Sequence, residues 1–277
     1  MIRLIGIDVD GTLVDSRGVL PPDNIAAVQE AVAAGIHVAL VTGRSYPFVR
    51  PLAAVLPDSI TLIVSNGAVE RGMDGSTCVK RLLARDVARR VLAATPEHRH
   101  SAALIFDRDD ERQMMFETMD WEHPDRRGYW ARNQSLIAHA SPLEGALTED
   151  PIQVMFNGGV DAMRALADSL RHRADGFTVA LTEYAVRDFS LVDITSPHAT
   201  KGQALAWRAA QLGLTPDEVM AVGDNHNDLE MLEFAGRPVV MENAVPVLKT
   251  RGWAVTGHHD RAGLAMAIRR FALGAKP

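Results

Sequence analysis

Three short, largely apolar segments, residues 3–10, 36–41 and 60–65, alternate with two stretches of helical periodicity, 24–34 and 47–56. Continuous apolar runs of this length suit strands buried on both faces. Parallel strands need a crossover between them, so the alternation points to a parallel sheet covered by helices. Pro21-Pro22-Asp23 starts the first helix, Ile25, Val28 and Val32 line one of its faces, and Gly35 stops it. The rhythm returns late in the chain, with a helix over 200–212, a strand over 219–223, a helix over 227–235, a strand over 238–241 and a last helix over about 260–272.

Between these halves the pattern changes. Apolar runs at 102–106 and 113–118 flank the charged residues 107–112, as in an antiparallel hairpin with a solvated turn. A strand over 152–156, a helix over 162–173 and a strand over 178–184 follow. The expected architecture is α/β: a Rossmann-like, doubly wound parallel core from 1–82 and 188–277, with an α+β domain inserted at 83–187. Residues 120–135, where Trp121, Tyr129 and Trp130 stand among Arg and Pro, fit no period.

Composition removes several function classes. A net charge of -6 over 277 residues leaves no basic footprint for nucleic acid or an anionic membrane. Cys78 is the one cysteine, which excludes an internal disulfide and a cysteine-rich zinc site. No apolar run approaches the roughly 20 residues that span a bilayer, and the first residues lack a secretory pattern. A cytoplasmic protein with no obligate protein partner is the expectation.

The chemistry sits at strand ends. Side chains alternate along a strand, so Asp8 and Asp10 share one face, where two like charges repel and a cation would relieve them. Gly11 follows where the chain must turn, and Thr12 has a hydroxyl to donate there. Thr42 follows the second strand, Lys201 opens a helix, and Gly223-Asp224-Asn225-His226-Asn227-Asp228 follows the strand at 219–223. Ligands of open parallel sheets gather beyond the carboxyl ends of the strands. Asp8, Asp10, Thr42, Asp224, Asn227 and Asp228 are therefore expected in one crevice, with Lys201 reaching in.

Asp8-Val9-Asp10-Gly11-Thr12, Thr42-Gly43-Arg44, Lys201-Gly202 and Gly223-Asp224-Asn225-His226-Asn227-Asp228 resemble the four motifs of the haloacid dehalogenase-like phosphohydrolases, in the same order. Ser65-Asn66-Gly67-Ala68 and the place of the insertion resemble the Cof-type branch, whose cap is an α+β module of the C2 type. The resemblance implies a Mg²⁺-dependent phosphatase of small phosphorylated metabolites: sugar phosphates first, with flavin and pyridoxal phosphates also in range. In it, Asp8 is the nucleophile and forms an aspartyl-phosphate. Asp8 and Asp224 hold Mg²⁺ with the backbone carbonyl of Asp10, and the Asp10 carboxylate is the general acid and base. Thr42, Gly43 and Lys201 bind the phosphoryl group, Asn227 adds a hydrogen bond, and Asp228 orients Lys201 or the metal's waters. The alternatives are a phosphomutase using the same Asp8 and Asp10, or a phosphometabolite-binding protein without turnover.

Other polar residues take plainer readings. Asn225 and His226 read as turn residues, and Arg44 as one half of a local ion pair. His98-Arg99-His100 and His258-His259-Asp260 read as solvated loops, because adjacent side chains on extended backbone point apart. Met114, Met115 and Met163 read as core. Arg126, Arg127, Trp130 and Arg132 are the insert residues to watch for substrate contacts, and a structural role is the first reading for them.

Overall fold

Strand β1 (Leu4–Ile7) is buried along its whole length. It is followed by α1 (Pro22–Ala33), β2 (His37–Val41), α2 (Tyr46–Ala53) and β3 (Thr61–Val64). Pro22 occupies the first turn of α1, where a missing N–H costs nothing, and Gly35 leaves that helix at φ 79°. A hairpin of β4 (Val69–Gly72) and β5 (Thr77–Lys80) comes next, unforeseen in the sequence. Its turn is held by Asp74 Oδ1, which accepts from the Ser76 amide at 2.9 Å. The protein is described here from a computed structural model, at residues 1–108, 112–122, 124–173 and 175–274.

The middle of the chain forms α3 (Arg85–Ala94), β6 (Ala102–Ile105), β7 (Met114–Phe116), α4 (Pro124–Asn133) and β8 (Ile137–His139). Then come β9 (Gln153–Gly158), α5 (Val160–Arg171), β10 (Thr178–Tyr184) and β11 (Phe189–Thr195). The last third supplies α6 (Lys201–Gln211), β12 (Val219–Gly223), α7 (Leu229–Phe234), β13 (Arg237–Val240), α8 (Pro246–Lys249), β14 (Ala254–Val255) and α9 (Gly263–Ala267).

The chain divides into two compact units, Met1–Lys80 with Ala199–Pro277, and Arg81–His198. The first carries a sheet in the order β14-β13-β12-β1-β2-β3-β4-β5, parallel from β14 to β3 and antiparallel only at the β4–β5 edge. Order reverses about β1, which pairs with β12 on one side and β2 on the other. Leu205, Val219, Met231 and Leu248 pack with Leu4 in a core of this unit.

The second unit is a sheet in the order β10-β11-β9-β6-β7-β8, antiparallel except for β7–β8. Its core gathers Leu92, Leu104, Phe106, Phe156 and Val192. The units part at His198/Ala199. Strand β11, expected with the parallel core beyond residue 187, instead pairs between β10 and β9. The helix expected over 260–272 is interrupted: Ala262 stands at φ 52°, α9 ends at Ala267, and residues 268–272 widen into a π turn. A Cβ on Gly263 would lie 2.0 Å from the Gly257 carbonyl oxygen, so the chain crosses itself too closely there for a regular helix start.

Candidate active site

Four adjacent strands, β12, β1, β2 and β3, end at one edge of the first unit's sheet, and each hands a polar segment to that edge. Asp8 follows β1, and its amide donates to the Val222 carbonyl of β12 at 3.0 Å. Lys201, the first residue of α6, is positioned by the Thr200 cap, whose hydroxyl accepts from the Gln203 amide at 3.1 Å. The Lys201 side chain is nearly inaccessible, and its Nζ donates to Asp8 Oδ1 at 2.6 Å and to Asp228 Oδ1 at 2.7 Å. Asp228 Oδ2 accepts from the amides of Asp224 and Asn225, both at 2.9 Å. Asp224 Oδ1 accepts from the Thr12 hydroxyl at 2.9 Å.

Carboxylate oxygens of Asp8, Asp224 and Asp228 lie within 4.8 Å of one another. One ammonium thus faces three buried carboxylates. The second oxygen of Asp8, Oδ2, is buried without a hydrogen-bond partner among the described residues. Gly11 stands at φ 85°, and a Cβ there would meet Asp224 Oδ2 at 2.3 Å, so the turn needs glycine on both counts.

Burial pushes the Asp8 carboxyl up to about 7; repulsion from Asp228 adds to this, and Lys201 opposes it. Asp224 is also raised well above its ordinary value, by burial first and then by Asp8 and Asp228. Lys201 is held protonated: burial works against its charge, and the two aspartates outweigh burial.

The Asp10 carboxylate lies apart from this trio. Both its oxygens accept from Arg44, Oδ2 from Nε at 2.8 Å and Oδ1 from Nη2 at 2.6 Å, so Arg44 makes a local ion pair. Thr42 is buried, and its hydroxyl oxygen accepts from the Arg44 amide at 3.1 Å. Helix α2 begins later, after Ser45, so Thr42 caps a turn rather than that helix.

Asn227 Nδ2 donates to Asn66 Oδ1 at 3.0 Å, and the Asn66 amide donates to the Thr42 carbonyl at 2.9 Å. Gly43 faces the same Asn66, with an added Cβ 3.3 Å from Oδ1. Ser65, Asn66 and Gly67 hold φ values of 50°, 54° and 96° in succession, a costly run for the first two residues.

The family model for haloacid dehalogenase-like hydrolases matches residues 5–268, nearly the whole chain. The chain belongs to the haloacid dehalogenase-like hydrolases. A 5-amino-6-(5-phospho-D-ribitylamino)uracil phosphatase of Bacillus subtilis is 26% identical, over 99% of this chain and 99% of its own. A pyridoxal phosphate phosphatase of Escherichia coli is 27% identical, over 96% and 97%. A solved haloacid dehalogenase-like hydrolase from B. subtilis superposes with a TM-score of 0.83 at 25% identity, over 98% and 100% of the two chains.

Within this hydrolase fold, sequence reasoning missed Asn66 as the link between Thr42 and Asn227. Its signal was visible, since Ser-Asn-Gly after a buried strand favours left-handed backbone. Asn225 is a turn residue, its Oδ1 accepting from the His226 amide at 2.9 Å. In the second unit, Arg126 donates to Asn157 Oδ1 at 3.0 Å, Trp130 packs on Trp121, and Arg127 is exposed. The side chains of Tyr129 and Arg132 lie outside the described residues. Arg99 pairs with Glu117 and Glu144, and the histidine beside it, His98, meets the edge of Phe156.

Proposed function

We propose that this hydrolase is a Mg²⁺-dependent phosphatase of small phosphorylated metabolites that works through an aspartyl-phosphate on Asp8. The observation that carries the reading is the buried Lys201 clamped between Asp8 and Asp228, with Asp8 Oδ2 left unpartnered among the described residues. An isolated buried carboxylate oxygen is costly, so that atom is poised either to meet a cation or to attack.

The donor set fits magnesium: hard carboxylate oxygens, in excess over the one ammonium. Asp8 and Asp224 would hold the ion with the backbone carbonyl of Asp10. When bound, Mg²⁺ supplies positive charge against the buried carboxylates and the phosphoryl oxygens. Lys201 restrains the Asp8 carboxylate and offers its remaining proton to a phosphoryl oxygen. Thr42, Gly43 and Asn227 complete the contacts to that group.

Asp8 attacks phosphorus, and Asp10 delivers a proton to the departing alcohol oxygen. A water then releases phosphate, giving its proton back to Asp10. Arg44 pairs with both Asp10 oxygens, which fixes the orientation of that carboxylate and leaves a lone pair on each oxygen for a proton.

The named substrates of the two curated relatives, a phosphoribitylamino-uracil and pyridoxal phosphate, support a phosphorylated small molecule. Sugar phosphates are the first class to test, then flavin and pyridoxal phosphates. In this reading the second unit is the cap that selects the leaving group. The protein works in the cytoplasm without nucleic acid, membrane or an obligate protein partner. Among the described residues, no helix is long and apolar enough to cross a membrane.

Phosphate release from a panel of such metabolites, with and without Mg²⁺, tests the reading. Metal-dependent turnover of at least one substrate is expected, and Asp8→Asn should lower kcat by at least ~10³-fold, as for removal of other nucleophiles. Equal turnover in the variant would remove Asp8 from its role.

A further inference from the structure

His258, His259 and Asp260, which read as solvated loop in sequence, are drawn together by the fold. Residues His259–Arg261 form one tight turn, and the two imidazole rings come to 4.7 Å between centroids. A ligand atom from each of the three residues lies within 4.8 Å of the others. Asp260 Oδ2 is 3.6 Å from His258 Nδ1, and Asp260 Oδ1 is 3.9 Å from His259 Nε2.

The outer contacts are those that ready such side chains for a metal. His259 Nδ1 lies 2.8 Å from the Val14 carbonyl oxygen, which can only accept, so the proton sits on Nδ1 and Nε2 keeps a free lone pair. The Asp260 carboxylate is fixed through Oδ1, which accepts from the Ser16 amide at 2.7 Å. His258 Nδ1 accepts from the Asp260 amide at a longer 3.2 Å, a bond it can exchange for a stronger one. All three side chains keep some access to solvent.

We propose that His258, His259 and Asp260 form a site for a divalent transition-metal ion of the zinc class, with water completing its coordination. Two imidazoles favour such an ion over magnesium, which takes oxygen ligands, so this site and the aspartate cluster select different metals. The placement gives the ion a structural consequence. His259 and Asp260 already hold Val14 and Ser16, and the His259 amide donates to Asn243 Oδ1 at 3.1 Å while Asn243 Nδ2 donates to the Gly11 carbonyl at 2.8 Å. An ion here fastens the C-terminal segment to the loop that follows Asp8 and Asp10.

The test is a Co²⁺ titration of the full chain saturated with Mg²⁺, followed by cobalt visible absorption and reversed with Zn²⁺. One equivalent of Co²⁺ is expected in wild type and equally in Asp224→Asn. It should be lost in the His258→Gln/His259→Gln double variant. Asp260→Asn, which keeps an oxygen for the Ser16 amide, should weaken binding by at least about tenfold. Should the double variant not fold, His258→Gln alone, which leaves the Val14 and Ser16 bonds in place, should show at least the same loss. Uptake that disappears in Asp224→Asn, wild-type affinity in the histidine variants, or no uptake at all would overturn the proposal.

Discussion

At the scale of single residues, the site is organised by an unfavourable charge that the fold tolerates. Asp8 ionises at 3.8 in an ordinary setting and near 7 here, chiefly because it is buried. The folded chain therefore holds this proton more tightly than the unfolded chain, and over that interval its stability falls as pH rises. Asp8→Asn mimics the protonated form permanently. In metal-free protein the melting temperature of the variant relative to wild type should climb between pH 4 and 7 and stay higher above it, while phosphate release is lost. A scanning calorimetry series across pH checks this, and a variant melting below wild type at pH 8 would contradict it. Asn66 allows a second test. Asn66→Ala keeps the strained φ of 54° and loses the oxygen that Asn227 holds, whereas Asn66→Gly loses the oxygen but relieves the strain. Both should lower kcat/KM by roughly tenfold, about the worth of one hydrogen bond. In urea denaturation the alanine variant should fall below the glycine variant by about 1 kcal/mol.

At the scale of elements, Lys201 reaches Asp8 and Asp228 because α6 starts where it does. Gly202 brings that first turn against α7, with an added Cβ landing 2.6 Å from Glu230 Cβ and 2.7 Å from its carbonyl carbon. Gly202→Ala should cost ~1–3 kcal/mol by overpacking and lower kcat by displacing Lys201. Chemical denaturation with steady-state kinetics reads both, and an alanine variant with wild-type stability and kcat would show that the approach is not tight. The same elements show how much the chain discloses before it folds. The strands β1, β2, β3 and β12 were legible because buried parallel strands are unbroken apolar runs, and the fold gathers their polar successors at one end of the sheet. Residues 188–198 were placed with the core because nothing in the local sequence of Phe189–Thr195 says which sheet it joins; only its pairing with β10 and β9 does. The irregular helix start at Ala262 was hidden for a similar reason: it depends on how closely Gly263 approaches the Gly257 carbonyl, while residues 264–272 keep a helical pattern. That Arg44 makes an ion pair was legible, but not that its partner is Asp10, 34 positions away.

At the scale of the whole molecule, the two units have different reasons to be stable. The second is held by an apolar core around Phe156 and Leu104 and by the Arg99 pairing with Glu117 and Glu144. The first carries a comparable core and, in addition, every member of the aspartate cluster together with Lys201. A ligand that binds only the folded state stabilises what it touches by mass action, so Mg²⁺ should act on the first unit alone. Phe156→Ala empties a buried aromatic position in the second unit, a change that typically costs ~3–5 kcal/mol. Calorimetry should therefore resolve two transitions, one raised by Mg²⁺ and insensitive to Phe156→Ala, the other lowered by Phe156→Ala and insensitive to Mg²⁺. Asp224→Asn should remove the Mg²⁺ response of the first without moving the second. A single transition displaced by both perturbations would mean that the units unfold as one, and the charge excess around Asp8 would then be carried by the cohesion of the entire chain rather than by the sheet that presents it.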